Sequence, residues 1–320
     1  MTLPRAEKGR VRQQGNRSAD SARSPELPPR LALVIGIGAV SSASIFIRYA
    51  QSDASSLAIA AYRLILAALF LLPVAWLRYR AELRKLHLRE FIWMMASGIF
   101  LAVHFGTWIT SLEYTSVASS VALVSTSPLW VALFAWLAWR EPLTPPLLAG
   151  LGMALAGSII ISYAEARTAI SSQPFLGNAL SLAGALAVSG YWLIGRRLRA
   201  RISLVPYVTL VYGFAALALL AAALLFRRPL SGFRASTYGW FLLLALLPQL
   251  LGHSSFNWAL GHLPAAYVSV ATLGEPVGAA FLAFLILGET PSMLKLAAAA
   301  LILAGIYLAL RKRPADRPDA

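Results

Sequence analysis

The chain has 320 residues, of which 58% are hydrophobic and only 13% charged, with a mean hydropathy of +0.68. Soluble domains carry about 25% charged residues, so a water-soluble enzyme or binding module is excluded for the body of the chain. The net charge of +15 does not indicate nucleic acid, because the basic residues sit in short tracts between apolar runs, and the lack of cysteine excludes disulfides and thiolate metal sites.

Residues 1–29 are polar and basic, with Arg5, Lys8, Arg10, Arg12, Arg17 and Arg23 among prolines. They contain no apolar core and no small-residue cleavage site, so they read as a disordered cytoplasmic tail and not as a secretory signal. Ten apolar segments follow, each near the roughly 20 residues that a helix needs to cross a bilayer. They lie at 31–50, 57–77, 91–111, 115–138, 146–164, 176–195, 206–226, 238–258, 264–287 and 292–310. Helix is required in each, because lipid offers no partner to backbone polar groups. The expected organisation is a first repeat at 30–164, a linker at 165–175, a second repeat at 176–310 and a short tail at 311–320.

Two five-helix halves follow from an internal echo. Pro128, Glu141 and Gly157 recur as Pro276, Glu289 and Gly305, each pair 148 positions apart. An interval of half the chain is too long for a solenoid unit and points to a duplicated bundle. Five spans per half is an odd number, so the second half enters the membrane upside down relative to the first. Charge agrees. With the N-terminus inside, the cytoplasmic side collects the tail with Arg30, then Arg78, Arg80, Arg84, Lys85, Arg89 and Arg140. It also gains Arg196, Arg197, Arg199, Arg201 and the basic C-terminus. The outer side holds Arg167, Arg227, Arg228, Arg234 and Lys295, and the three around 227–234 are the local exception to a positive-inside pattern.

The stretch His104-Phe105-Gly106-Thr107-Trp108, continuing through Ser111-Leu112-Glu113-Tyr114-Thr115-Ser116-Val117-Ala118, resembles the third and fourth helices of EamA-type transporters in the drug/metabolite transporter superfamily. So does the repeated series of a helix Pro, a Glu at the helix end and a Gly in the next helix. The resemblance covers residues 31–310. It implies two five-helix repeats and import or export of small organic solutes, of a charge that it does not specify.

Intramembrane polar groups are expensive and functional by default. Of the thirteen acids, only Glu275 falls well inside a span. An ionised carboxylate there loses its hydration unless a cation faces it. Glu275 therefore reads either as a protonatable site that binds a cation or couples transport to protons, or as a structural carboxyl beside a kink at Pro276. Arg63 lies about two turns into the second span and reads as a snorkelling side chain or as an anion partner facing Glu275. Family patterns commonly place an Arg there, and the second half has Val211, Tyr212 and Gly213 instead. Arg48 is nearer the interface and snorkels.

His104 and Trp108 share a helix face, and Gln249, His253 and Asn257 repeat that spacing as a polar stripe. Tyr191 and Trp192 offer aromatic walls, although such residues are more often packing or interface anchors. Pro128 and Pro276 each remove a helix hydrogen bond near mid-membrane and are expected to kink spans 4 and 9. Gly152, Ala156 and Gly157, like Ala300, Ala304 and Gly305, form faces for close helix contact. In small four-helix relatives the matching helix dimerises, whereas here the two copies can pack within one chain, so monomer and homodimer both remain open.

No metal set, phosphate loop or Ser–His–Asp arrangement appears, and Ser119-Ser120 and Ser254-Ser255 read as helix-packing groups. The expectation is an all-α inner-membrane permease with both termini cytoplasmic. It needs no cofactor and moves small organic solutes, such as amino acids or related metabolites, by alternating access. Arg63, His104, Trp108, Tyr191, Gln249, His253 and Glu275 are the candidate contacts. An intramembrane enzyme or lipid flippase using the same cavity, or a scaffold, is the alternative.

Overall fold

The computed structural model describes residues 27–115, 120, 123–166, 173–287 and 292–311. Residues 1–26 of the tail expected at 1–29, the Ser116–Ala118 end of the family-like stretch, Ser119, most of the 165–175 linker, Glu289 and residues 312–320 lie outside the described residues.

Every element among the described residues is helical. In chain order they are α1 (Pro29–Val40), α2 (Ala43–Gln51), α3 (Ser56–Leu83), α4 (Leu88–Tyr114), α5 (Ser127–Trp139), α6 (Pro145–Ala166), α7 (Pro174–Arg199) and α8 (Leu204–Leu225). There follow α9 (Ala235–Leu244), a π-helical stretch Ala245–His253, α10 (Ser254–Leu260), α11 (Ala265–Thr272), α12 (Glu275–Leu287) and α13 (Met293–Arg311). Six spans are long and apolar enough to cross a membrane: Pro29–Gln51, Ser56–Leu83, Leu88–Tyr114, Pro174–Arg199, Leu204–Leu225 and Ala235–Leu260. Ser127–Trp139, Pro145–Ile160 and Leu296–Ala309 are shorter apolar helices.

Where helices begin, the sequence supplies caps. The Ser55 hydroxyl accepts the Ala58 amide at the start of α3, and the Glu90 carboxylate accepts the His87 amide at the start of α4. At the start of α8 the acceptor is distant in sequence: Glu82 Oε1 takes the Ser203 amide at 2.7 Å.

The surface is inside-out relative to a soluble protein. Leu69, Phe70, Trp76, Leu77, Phe91 and Trp93 are exposed, whereas Arg63, Gln249, Asn257, Ser111 and Ser181 are buried. Apolar side chains facing outward and polar ones turned inward suit a lipid surround, in which a polar group finds partners only within the bundle.

The internal echo is visible at the level of single hydrogen bonds. The Ser41 hydroxyl reaches the carbonyls of Ile37 (2.7 Å) and Glu275 (3.2 Å). Ser189, 148 positions later, donates to the carbonyls of Ala185 (2.7 Å) and Ser127 (3.1 Å), and each acceptor is the repeat equivalent of its counterpart. Gly36 lies against the Phe256 ring and Gly184 against the Trp108 Cβ, again an equivalent pair. Helices α6 and α13 cross at glycine. A Cβ on Gly157 would fall 2.8 Å from the Ala298 carbonyl oxygen, and one on Gly305 would fall 2.6 Å from that of Gly150. Exchanging the copies converts one contact into the other.

The kinks expected at Pro128 and Pro276 take a different form. Each proline is the second residue of a new helix, α5 or α12, after a break at Ser125-Thr126 or Leu273-Gly274. In a first turn the missing N–H is needed by no carbonyl, so proline starts a helix at little cost where it would strain an interior. Glu275 therefore heads α12 and does not sit midway along a continuous helix.

Candidate functional site

The polar groups converge where α3, α4, α7 and the π-helical stretch meet. Arg63 enters from α3, and its side chain is 1% exposed. Its Nε donates to Gln249 Oε1 at 2.8 Å, and its Cζ lies 4.1 Å from the centroid of the Phe105 ring. A guanidinium stacked on an aromatic face and bonded through one edge keeps its charge partly compensated in a dry interior.

The π-helical stretch presents Gln249 and His253 to this centre. Pro248 lies within it, and a residue without an N–H fits a widened turn that would otherwise leave a donor unmatched. The His253 ring packs edge-on to Phe105 at 5.2 Å and stacks on Trp192 at 5.8 Å with an interplanar angle of 12°. Asn257, one turn on, donates to the Tyr191 hydroxyl at 2.5 Å and to the His253 carbonyl at 2.7 Å. Tyr212 from α8 closes the group, its hydroxyl 3.3 Å from Ser254 Oγ.

On α4, His104 and Trp108 stack with centroids 5.8 Å apart, and His104 Nδ1 lies 3.0 Å from the Gly184 carbonyl oxygen. Glu275 stands within electrostatic reach of Arg63, yet the two form no ion pair within 4.0 Å. Arg48 is exposed, away from this centre.

Six of the seven candidate contacts, Arg63, His104, Trp108, Tyr191, Gln249 and His253, thus fall in one connected neighbourhood through Phe105 and Trp192, and Glu275 makes no direct side-chain contact with them. Five of its buried side-chain atoms have no partner: Arg63 Nη1, Trp108 Nε1, Gln249 Nε2, His253 Nδ1 and Asn257 Oδ1. Phe105 and Tyr212 were not singled out by sequence reasoning. Phe105 carried a readable signal, because it is the repeat equivalent of His253. No group of three or more His, Asp or Glu that could hold a metal occurs among the described residues.

The two ends of the molecule are also tied across the halves. At one end Asp53 Oδ2 accepts the Arg234 amide at 2.8 Å and the Thr237 hydroxyl at 2.7 Å, while Arg234 Nη2 donates to Ser52 Oγ at 2.9 Å. The Thr237 hydroxyl, then the Arg234 amide, hold the Asp53 carboxyl below its ordinary pKa. At the other end lie the Glu82–Ser203 bond and Arg197, whose guanidinium sits 4.4 Å over the Trp139 ring. The ends of α2 and α7 share one device. Gln51 Nε2 donates to the Ile109 carbonyl, and Arg199 Nε, its repeat equivalent, donates to the Asn257 carbonyl, the equivalent of Ile109.

A crystal structure of a protein with 21% sequence identity superposes on this chain with a TM-score of 0.71, covering 88% of this chain and 96% of the other. That likeness shows a shared fold. No curated protein matches the chain. The model of the EamA-like transporter family matches twice, over residues 30–163 and 175–311. Because these two matches span most of its length, the chain belongs to the EamA-like transporter family and is a multi-pass membrane transporter of the drug/metabolite transporter superfamily.

Proposed function

We propose that the protein is an inner-membrane permease with ten spans, built from inverted repeats at 30–164 and 176–310, with both termini cytoplasmic. It moves small organic solutes, such as amino acids or related metabolites, through a central site lined by Arg63, His104, Trp108, Tyr191, Gln249, His253 and Glu275. The observation that carries this reading is the buried guanidinium of Arg63, at the junction of the halves, with an unpartnered Nη1. A charge held in that position without full pairing is costly to stability and marks a solute path.

Alternating access needs ties that open at one end while the other stays shut. The Asp53–Arg234 tie and the Glu82–Ser203 tie lie at opposite ends of α3, a helix of 28 residues and thus about 40 Å long. They supply one closure per membrane face. The swapped Gly157–Ala298 and Gly305–Gly150 contacts support the α6–α13 pair as the fixed hinge, and a monomer suffices. The Gln51–Arg199 equivalence supports inversion, since the charged member belongs on the positive-inside face. Protons as the coupling ion are part of the proposal through Glu275.

The test is counterflow in proteoliposomes with radiolabelled amino acids and related metabolites. Saturable flux that Arg63→Gln abolishes in a folded protein supports the reading. No flux for any solute, or flux indifferent to Arg63, Gln249 and Glu275, overturns it. Flux in Glu275→Gln that keeps its full pH dependence removes the proton role alone.

A further inference from the structure

We propose that the transported solute carries a single carboxylate, held by Arg63 Nη1 and Gln249 Nε2. This rests on the transporter reading above and adds to it the charge and head group of the solute.

The argument begins with what is unmatched. Arg63 is 1% exposed and Gln249 is 0% exposed. Arg63 uses Nε on Gln249 Oε1, which fixes the orientation of the amide and leaves its Nε2 as a donor. Arg63 Nη1 and Gln249 Nε2 then have no hydrogen-bond partner within 3.5 Å, the Tyr212 hydroxyl standing beside the Gln249 amide beyond that distance, and they belong to side chains already bonded to each other. Both are donors, so the missing group is an acceptor. A guanidinium edge beside an amide N–H matches the two oxygens of a carboxylate.

The neighbouring charges set the size of the ligand's charge. Among the described residues, no carboxylate lies within ion-pair distance of Arg63, Glu275 included. One guanidinium balances one carboxylate when the Glu275 carboxyl carries its proton. A phosphate dianion would bring two charges to that single guanidinium. An organic cation would place its charge on Arg63.

The scaffold does not need these groups. Their repeat equivalents are apolar: Val211 for Arg63, Leu101 for Gln249 and Phe105 for His253. Leu101, Phe105 and Val211 are all buried, so the same fold position tolerates a hydrocarbon in the other half. The donors are therefore additions to the frame, and their chemistry belongs to the ligand.

The experiment uses the full chain in detergent and four probes: butyrate, butyramide, butylamine and inorganic phosphate. Binding is read by titration calorimetry and by the shift in melting temperature. Butyrate is expected to bind at least about tenfold more tightly than the other three. Gln249→Leu, which installs the residue found at the equivalent position, is expected to weaken butyrate by about ten- to hundredfold. Arg63→Lys, which keeps the charge and loses the fork, tests the same contact should Arg63→Gln fail to fold. Butylamine or phosphate binding as tightly as butyrate overturns the inference. So does failure of butyrate to bind, or butyrate binding unchanged in both variants. Flux of cationic solutes without flux of carboxylates sinks this inference and leaves the transporter reading standing; absence of all flux sinks that reading instead.

Discussion

Phe105 and His253 stand 148 positions apart and meet ring to ring, with centroids 5.2 Å apart and planes inclined at 65°. A residue that touches its own repeat equivalent lies beside the axis that relates the copies. On one side of that axis the ring is a hydrocarbon, and on the other it is an imidazole. His253→Phe makes the two sides alike. The expected outcome is a protein that folds with little change in melting temperature and loses at least about tenfold in solute flux, because the lost group is a hydrogen-bonding one of modest energy. Wild-type flux in the folded variant would remove His253 from the site.

The crossing of α6 and α13 predicts a sharp contrast between glycines. A Cβ on Gly305 meets backbone at 2.6 Å, whereas one on Gly152 meets nothing within 4 Å. Gly305→Val should destabilise by about 1–3 kcal/mol through overpacking, and Gly152→Ala should be near neutral. Thermal unfolding in detergent reads both, and equal effects would show that the close crossing is not formed.

Ser41 and Ser189 make matching bonds to the residues that precede the two prolines. Ser41→Ala and Ser189→Ala should each cost about 0.5–1.5 kcal/mol, the usual net value of such a bond, and the two losses should agree closely. Loss at one position alone would break the equivalence.

Asp53 predicts a pH dependence. Its pKa is depressed in the folded protein by the Thr237 hydroxyl and the Arg234 amide. The tie's contribution is therefore complete above the ordinary carboxylate value, about 3.9, and is lost as pH falls through the depressed value. The difference in melting temperature between wild type and Asp53→Asn should stay constant from neutral pH to about pH 5 and shrink below that. A difference that persists unchanged at the acid end would exclude this carboxylate as the tie.

Much of the helix layout was legible in the sequence because lipid forces apolar residues into runs of one length. Span 2, expected at 57–77, extends to Leu83 in α3, since Arg78–Glu82 continue the helix into water, where an apolar tally stops counting. The interruptions were hidden for a different reason. Ser41-Ser42 and Leu273-Gly274 break helices within stretches that are uniformly apolar around them, and the π-helical widening at Ala245–His253 reflects tertiary fit around Pro248. Gln249, His253 and Asn257 were readable as a stripe by their spacing of four. Their pairing with Arg63 and Tyr191 was not, because these contacts bridge 186 and 66 positions of sequence. The proline kinks read from sequence became helix starts because backbone breaks just upstream placed each ring in a first turn.

The glycine crossing of α6 with α13 carries one more consequence. A protein made of a single repeat would need a second molecule to cover that face, and both subunits would be identical by necessity. Here the partner arrives on the same polypeptide at a fixed, high effective concentration, so assembly is independent of protein abundance. Each half is then free to change its side chains without losing a mate. The chain behaves as a covalently guaranteed heterodimer, which is what lets an arginine on one side of the axis stand opposite a valine on the other.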